Sequence, residues 1–108
     1  ADVDGMIGVE QKFDDKNPKA APILAKYKAD TKEDAPFPAY MSAAYDVVYL
    51  VADAIAKNGY DGEKLRDYFY AVENYEGAVG KVSIDENGDV VMDFNVKQVR
   101  NGELITLK

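Results

Sequence analysis

The sequence predicts an α/β chain in which about three helices are followed by a tail rich in β-hairpins. Apolar residues recur at helical spacing in three segments between residues 18 and 72, and the middle segment is apolar around most of its circumference. From Gly77 onward, apolar and polar residues alternate with the period of two that is typical of strands. A short apolar run at residues 5–10 precedes the helices, and we expect it to form a buried strand.

The first helix is expected after the charged loop at residues 11–17. Asn17 is a candidate N-cap, with Pro18 at the first helical position. Pro22 is tolerated only in an opening turn, so a helix start a few residues later stays open. The residues expected to face the core are Ile23, Leu24 and Tyr27.

The second helix is expected from about Ala39 to Asn58, where Gly59 supplies the residue type that ends helices. Because this helix is apolar on most sides, it should be covered on several sides. Asp46 and Asp53 interrupt it, so it contains no unbroken run of about 18 apolar residues, and we expect no membrane span.

The third helix is expected to begin after Asp61, which is a good N-cap residue. Its apolar residues recur at positions i, i+3, i+4 and i+7, and they are Leu65, Tyr68, Phe69 and Val72. This is the clearest amphipathic pattern in the chain.

The tail is expected to consist of a strand at residues 79–84, a turn at 85–88 and a longer strand at 90–100. Four apolar residues of the longer strand should share one face, namely Val90, Met92, Phe94 and Val96. Asn101-Gly102 is a strong signal for a two-residue hairpin turn. This turn would place Arg100 opposite Glu103 and Val99 opposite Leu104.

Composition limits the function classes that fit the chain. Its 108 residues suit one modest domain, and a formal charge of −7 disfavours nucleic acid as a partner. Histidine and cysteine are both absent, so an enzyme would have only carboxylates, lysine and tyrosine for proton transfer. We therefore expect no enzyme and no cofactor. Residues 1–5 do not resemble a signal peptide, which indicates a mature terminus or a chain cut from a longer protein.

Several polar motifs have a structural interpretation. The segment at residues 85–89 resembles the start of a calcium loop, but Val90 and Val96 stand where that loop needs Gly and Glu, which favours a hairpin turn. The carboxylate pairs Asp14-Asp15 and Glu33-Asp34 lie on polar loops and are expected to be solvated. We expect no metal site.

Gly77 and Gly80 do not have the spacing of a phosphate-binding loop. We expect these glycines to allow a bend or close packing.

The eight tyrosines form the remaining group of candidates. Tyr45 and Tyr49 on the second helix, and Tyr68 and Tyr70 on the third, are expected to pack between elements. Tyr40 differs, because it stands in the first turn of the second helix behind a loop with two prolines. Ligand-facing side chains are often found in such places, so Tyr40 is the predicted ligand-binding residue.

The order of these features resembles the type I periplasmic-binding-protein family, in particular its branched-chain amino acid receptors. The resemblance rests on the strand at residues 5–10, on Ala-Tyr-Asp-Val-Val-Tyr-Leu-Val-Ala-Asp-Ala-Ile at 44–55, and on the tail. The tail carries Glu-Gly-Ala-Val-Gly-Lys-Val-Ser-Ile-Asp-Glu-Asn-Gly-Asp-Val at 76–90, Phe-Asn-Val-Lys-Gln-Val at 94–99 and Asn101-Gly102. The resemblance covers essentially the whole chain.

The resemblance implies a C-terminal portion of a two-lobed receptor. Such receptors are periplasmic or extracellular, some with a lipid anchor, and they deliver an amino acid to the permease of an ABC transporter. Residues 1–82 would belong mainly to one lobe, and residues 83–108 would form a hinge crossing and the terminal strands. The implied hinge segments are 8–13 and 83–91. Tyr40 would contribute apolar contact to the ligand pocket.

Two alternatives stay open from the sequence. One is a free-standing α+β domain whose exposed helix face docks another protein, and the weaker one is an enzyme. A fragment of a two-lobed receptor would leave helix faces and sheet edges uncovered. We therefore expect such a fragment to form a homodimer, for example by exchanging elements, or to rearrange its tail.

Overall fold

Three helices and two small sheets make up residues 3–107, the part of the chain that the computed structural model describes. The prediction that residues 1–5 form a mature or cut terminus falls partly outside this range, because residues 1 and 2 are not among the described residues. The order of elements agrees with the predicted α/β class. The elements are β1 (Ile7–Gln11), α1 (Ala20–Thr31), α2 (Pro38–Asn58), α3 (Gly62–Tyr70), β2 (Tyr75–Glu76), β3 (Lys81–Ile84), β4 (Val90–Val91), β5 (Phe94–Arg100) and β6 (Glu103–Thr106).

Both sheets are antiparallel and have three strands each within the described residues. One has the order β1-β5-β6 and the other the order β2-β3-β4. The hairpin between β5 and β6 has the predicted register, with Arg100 opposite Glu103 and Val99 opposite Leu104. Asn101 and Gly102 have φ angles of 53° and 79°, as a turn with two left-handed residues requires. The hairpin-rich tail is therefore confirmed.

Two strand predictions are wrong in detail. The strand near residues 5–10 is present as β1, but it is exposed and not buried, because it pairs on one side with β5 and no helix covers it. The predicted continuous strand at 90–100 is broken at Met92 and Asp93. Val90 pairs with Ile84 in one sheet, whereas the residues from Phe94 onward pair with β1 in the other sheet.

The start of α1 agrees with both expectations. The assigned helix begins at Ala20, which is the later start that Pro22 allowed. Asn17 still makes the contacts of an N-cap: its carbonyl accepts from the amide of Ala21 at 2.9 Å, and its Oδ1 accepts from the amide of Lys19 at 2.8 Å. Its Nδ2 also donates to the carbonyl of Gly77 at 3.1 Å. Ile23, Leu24 and Tyr27 are half-buried.

The ends of α2 and the start of α3 follow local sequence rules. The Gly59 amide donates to the carbonyl of Ile55 at 2.8 Å, and Gly59 has a φ of 79°. Asp61 caps α3, since its Oδ1 accepts from the amides of Glu63 and Lys64 at 3.1 Å each. These predictions are confirmed.

The inward face of α2 carries two buried polar residues, Ser42 and Asp46. Asp46 is only 4% exposed, and its two carboxylate oxygens accept from the amides of Ala78 at 2.7 Å and Val79 at 2.8 Å. Gly77 lies against this carboxylate so closely that a Cβ there would stand 2.2 Å from Oδ2. Gly77 therefore serves close packing, as expected. Because the two amides donate hydrogen bonds to the Asp46 carboxylate, this group is tolerated inside the fold.

The buried core is small, and much apolar surface remains outside it. The fully or nearly buried apolar residues are Ala20, Ala54, Val72, Ala78, Val79 and Val82. The accessible surface of 7910 Å² exceeds the roughly 5,900 Å² expected for a compact chain of 11.9 kDa. The radius of gyration is 16.9 Å, against about 13 Å for a compact domain of this length.

The outer face of α2 accounts for part of this surface. Val47, Val48 and Tyr49 are each more than half exposed. By length and composition alone, Pro38–Asn58 is long and apolar enough to cross a membrane, so Asp46 and Asp53 do not exclude a span, and its absence stays a prediction. The two aspartates are too few to change this property. Core helices of soluble proteins satisfy the same test, and the contact of Asp46 with the 77–79 loop ties α2 to this fold.

We expect Asp46→Asn to lower the free energy of unfolding by about 2–3 kcal/mol, because the amide NH₂ would face a backbone N–H that has lost its charged acceptor. The measurement is urea denaturation followed by circular dichroism. Asp30→Asn is the matched control, since Asp30 lies in an exposed ion pair with Lys26 and should change stability little. Equal stability of the two variants would contradict the role assigned to Asp46.

Candidate functional site

A cavity of about 560 Å³ lies beside the N-terminus of α2. Both sheets contribute to its wall, and the loop that enters α2 closes one side. Its lining residues are Val9, Glu10, Gln11, Phe13, Pro36, Phe37, Pro38, Ala39, Tyr40, Val90, Met92 and Phe94. The cavity is largely apolar, with few polar side chains, which is the usual character of a small-molecule pocket.

Tyr40 lies in this cavity as the third residue of α2. Its ring is 72% exposed and meets the ring of Phe37 edge-on, with 6.3 Å between centroids and 75° between planes. Pro38 occupies the first turn of the helix, and the amide of Met41 donates to the carbonyl of Phe37 at 3.1 Å. The helix start therefore holds the two aromatic rings as one apolar wall. Whether Tyr40 contacts a ligand stays a prediction.

The polar residues of the cavity come from β1. The Glu10 carboxylate forms an ion pair with the ammonium of Lys97 on β5, with 2.5 Å between Oε2 and Nζ. Because this partner neutralises Glu10, the carboxylate adds little net charge to the cavity. Gln11 follows as the last residue of β1.

The residues from β1 and β5 were not identified as site residues from the sequence. Tyr40 was found because a loop and a helix start are visible in the local sequence. Glu10, Gln11 and Phe94 reach the same cavity only through the pairing of β1 with β5, which joins residues more than 80 positions apart. The short apolar run that predicted β1 was the one available signal, and it does not identify the partner strand.

The other polar candidates have local partners. Asp14 accepts from the amide of Lys16 at 2.9 Å, and Asp34 forms an ion pair with Lys28 at 2.8 Å. Asp85 accepts from the amides of Asn87 and Asp89, both at 2.9 Å, and so forms the predicted hairpin turn. Among residues 3–107, no three acidic side chains come together as a metal-binding group would need.

The tyrosines of α2 differ from expectation. Tyr45 and Tyr49 stack on each other, with 4.6 Å between ring centroids, but both are exposed and do not pack between elements. Tyr70 is exposed as well. Tyr68 is half-buried, and its ring contacts Phe69 edge-on at 5.7 Å.

A charged group outside the cavity joins α2 to α3. Asp53 accepts from Lys57 at 2.7 Å and from the hydroxyl of Tyr68 at 2.5 Å. Hydrogen bonds from Lys57 and then Tyr68 hold the pKa of Asp53 below its ordinary value. The pKa of the Tyr68 hydroxyl is raised to about 12, mainly because this hydroxyl donates to Asp53 and to a lesser extent because it is partly buried. The arrangement stabilises the contact between two helices and lies away from the cavity.

The family of the chain follows from a comparison with family models. Residues 2–102 match the model of the receptor family ligand binding region, so the chain belongs to this family, which includes the type I periplasmic binding proteins. A comparison of the sequence with curated proteins finds no match.

Solved structures give the same family likeness. The chain is similar to the leucine-binding protein LivK of Thermotoga maritima, with 28% identity, a TM-score of 0.69, and coverage of 98% of this chain and 31% of that chain. It is also similar to a solute-binding protein from Rhodopseudomonas palustris in complex with 3,4-dihydroxybenzoic acid, with 25% identity, a TM-score of 0.65, and coverage of 97% and 30%.

A third structure shares the fold at lower identity. This is an ABC transporter substrate-binding protein from Desulfitobacterium hafniense in complex with Leu, with 22% identity, a TM-score of 0.70, and coverage of 97% of this chain and 32% of that chain. The chain therefore spans about a third of the length of the solved proteins it matches.

We expect Asp53→Asn to reduce the loss in the free energy of unfolding that occurs as the pH falls. The pKa of Asp53 is lower in the folded chain than the unfolded value of about 3.9, so its contribution is present above that value and is lost as the pH falls. The measurement is urea unfolding at about pH 6 and at about pH 3. Asp15→Asn, on an exposed loop, should keep the wild-type profile. The same pH dependence in both variants would show that Asp53 contributes nothing.

Proposed function

We propose that this chain is part of an extracytoplasmic receptor that binds a small solute and delivers it to the permease of an ABC transporter. The supporting observation is the apolar cavity beside Tyr40, in a chain that belongs to a family of ligand-binding regions. The receptor would act in the periplasm or at the cell surface. At the cell surface, the full-length receptor would carry a lipid anchor. Such a receptor is not an enzyme.

The proposed ligand is an amino acid with a branched aliphatic side chain. Its side chain would lie against Tyr40, whose ring offers apolar contact and whose hydroxyl offers an optional hydrogen bond. Two observations favour a ligand of this kind. The cavity wall is mostly apolar. The similar protein from Desulfitobacterium was solved with Leu, and the one from Rhodopseudomonas was solved with 3,4-dihydroxybenzoic acid, which shares only the carboxylate with Leu.

The division into lobes is part of the same proposal. Residues 1–82 would belong mainly to one lobe, and residues 83–108 would include a crossing and the terminal strands. The connection between the two sheets at Met92 and Asp93 supports such a crossing. There the amide of Lys12 donates to the carbonyl of Asp93 at 3.0 Å, so two chain segments run side by side between the sheets. These segments are the proposed hinge.

The uncovered surface of α2 is proposed to face the remainder of the receptor. The excess of about 2,000 Å² over a compact chain is larger than the roughly 800 Å² that each partner buries in a standard interface. Such an area fits a permanent contact. The same surface also supports the alternative of a free-standing domain that docks another protein. For the 108-residue chain alone, we propose that a second copy covers this face.

Ligand binding by the chain alone is expected to be weaker than micromolar, because a cavity open to solvent buries little of a small ligand. The measurement is isothermal titration with leucine, isoleucine and valine, supported by NMR shifts at millimolar ligand. Tyr40→Ala should remove the shifts, whereas Tyr60→Ala, at a residue 91% exposed outside the cavity, should keep them. Shifts that survive Tyr40→Ala would contradict the assigned contact.

The oligomeric state tests the proposed cover of α2. Analytical ultracentrifugation of the chain should show a dimer, and Val48→Asp should move it toward a monomer, because it places a charge in an apolar interface. Tyr60→Asp is the matched control, with the same charge introduced at an exposed aromatic residue outside α2. A monomer with a cooperative melt would favour the free-standing domain.

A further inference from the structure

Gln11 lies in the wall between two cavities. It is the last residue of β1, and it borders both the cavity beside Tyr40 and a smaller one of about 140 Å³. Its Nε2 is enclosed, and no acceptor for it is found within residues 3–107. A buried amide donor without a partner is rare in folded proteins, since it loses its hydrogen bonds to water and gains none in return.

The polar neighbours of Gln11 are already engaged. Glu10 is paired with Lys97, and Lys12 is paired with Asp93 at 3.5 Å. Across the smaller cavity, the Oδ1 of Asn17 accepts from the amide of Lys19. Asp14, which also lines the smaller cavity, accepts from the amide of Lys16. None of these groups bonds to Gln11 in the structure, and a molecule that enters a cavity can supply the acceptor.

We propose that Gln11 is the polar contact of the cavity beside Tyr40, and that its Nε2 donates to the carboxylate of a small acid. This inference rests on the proposed function of that cavity. The apolar body of the acid would lie against Tyr40, Phe37 and Phe94. The glutamine side chain has three rotatable bonds. Rotation about them brings Nε2 into the larger cavity, which Gln11 already borders, without a backbone movement.

The charges around the cavity are compatible with an acid. The one carboxylate in the lining is that of Glu10, and the ammonium of Lys97 stands 2.5 Å from it. This pairing removes most of the repulsion that a bare glutamate would exert on a second carboxylate. The amide of Gln11 then adds direction, because its donors require an oxygen at hydrogen-bond distance.

The experiment uses the whole ¹⁵N-labelled chain and two probes of the same shape, isocaproate and isohexanol, which differ in the carboxylate. Isocaproate should shift the signals of the Gln11 carboxamide and of Tyr40, whereas isohexanol should shift Tyr40 alone. Gln11→Met should weaken isocaproate about tenfold and isohexanol by less than about twofold. Gln98→Met is the matched control, because Gln98 donates to the carbonyl of Gly5 outside the cavity.

The outcomes separate this inference from the proposed function. If both probes shift Tyr40 while the Gln11 carboxamide stays unchanged, the cavity binds ligand and the role of Gln11 is overturned, with water as its partner. If neither probe shifts Tyr40, the proposed function fails together with the inference. Should Gln11→Met fail to fold, Gln11→Glu supplies the test, since its added charge should weaken isocaproate and leave isohexanol unchanged.

Discussion

The contact between the Asp46 carboxylate and the backbone of residues 77–79 holds the helices to the sheet region. It joins the middle of α2 to the loop between β2 and β3, beside the small buried core that includes Val72, Val79 and Val82. The loop leads through β3 and β4 to Met92, which lines the cavity. The position of Tyr40 relative to the opposite wall therefore depends on Asp46, a buried carboxylate further along α2, and on Gly77, which leaves room for that carboxylate.

Local rules predicted the parts of the fold that local residues determine. Asp61, Gly59 and the turn at Asn101-Gly102 act through dihedral angles and neighbouring amides, so their roles could be inferred from the sequence. The same rules predicted the cap at Asn17, but not its second contact, in which the Nδ2 donates to the carbonyl of Gly77, 60 positions away. The break in the strand at 90–100 is also non-local, because it arises from pairing with two different strands.

The same distinction applies to the cavity. A helix start after two prolines placed Tyr40 and Phe37 together, and a reader of the sequence could infer this side of the wall. The opposite side needs the register of β1 against β5, which sets Gln11 opposite Phe94. Similarly, the apolar character of α2 was evident, but Ser42 and Asp46 are buried, whereas Val47 and Val48 are exposed. The hydrogen bonds of Asp46 to the 77–79 loop favour this orientation, and the loop lies far away in the sequence.

The cavity draws its wall from both sheets, and this has a mechanical consequence. Val9 and Phe94 belong to one sheet and Val90 to the other, and the direct link from β4 to β5 consists of Met92 and Asp93 alone. Any rotation of one sheet against the other changes the cavity volume. Occupancy of the cavity and the angle between the sheets are then linked. A molecule that binds one arrangement of the sheets more tightly than another shifts the chain toward the arrangement that it prefers. A second protein could thus sense occupancy from the outer shape alone, without touching the bound molecule.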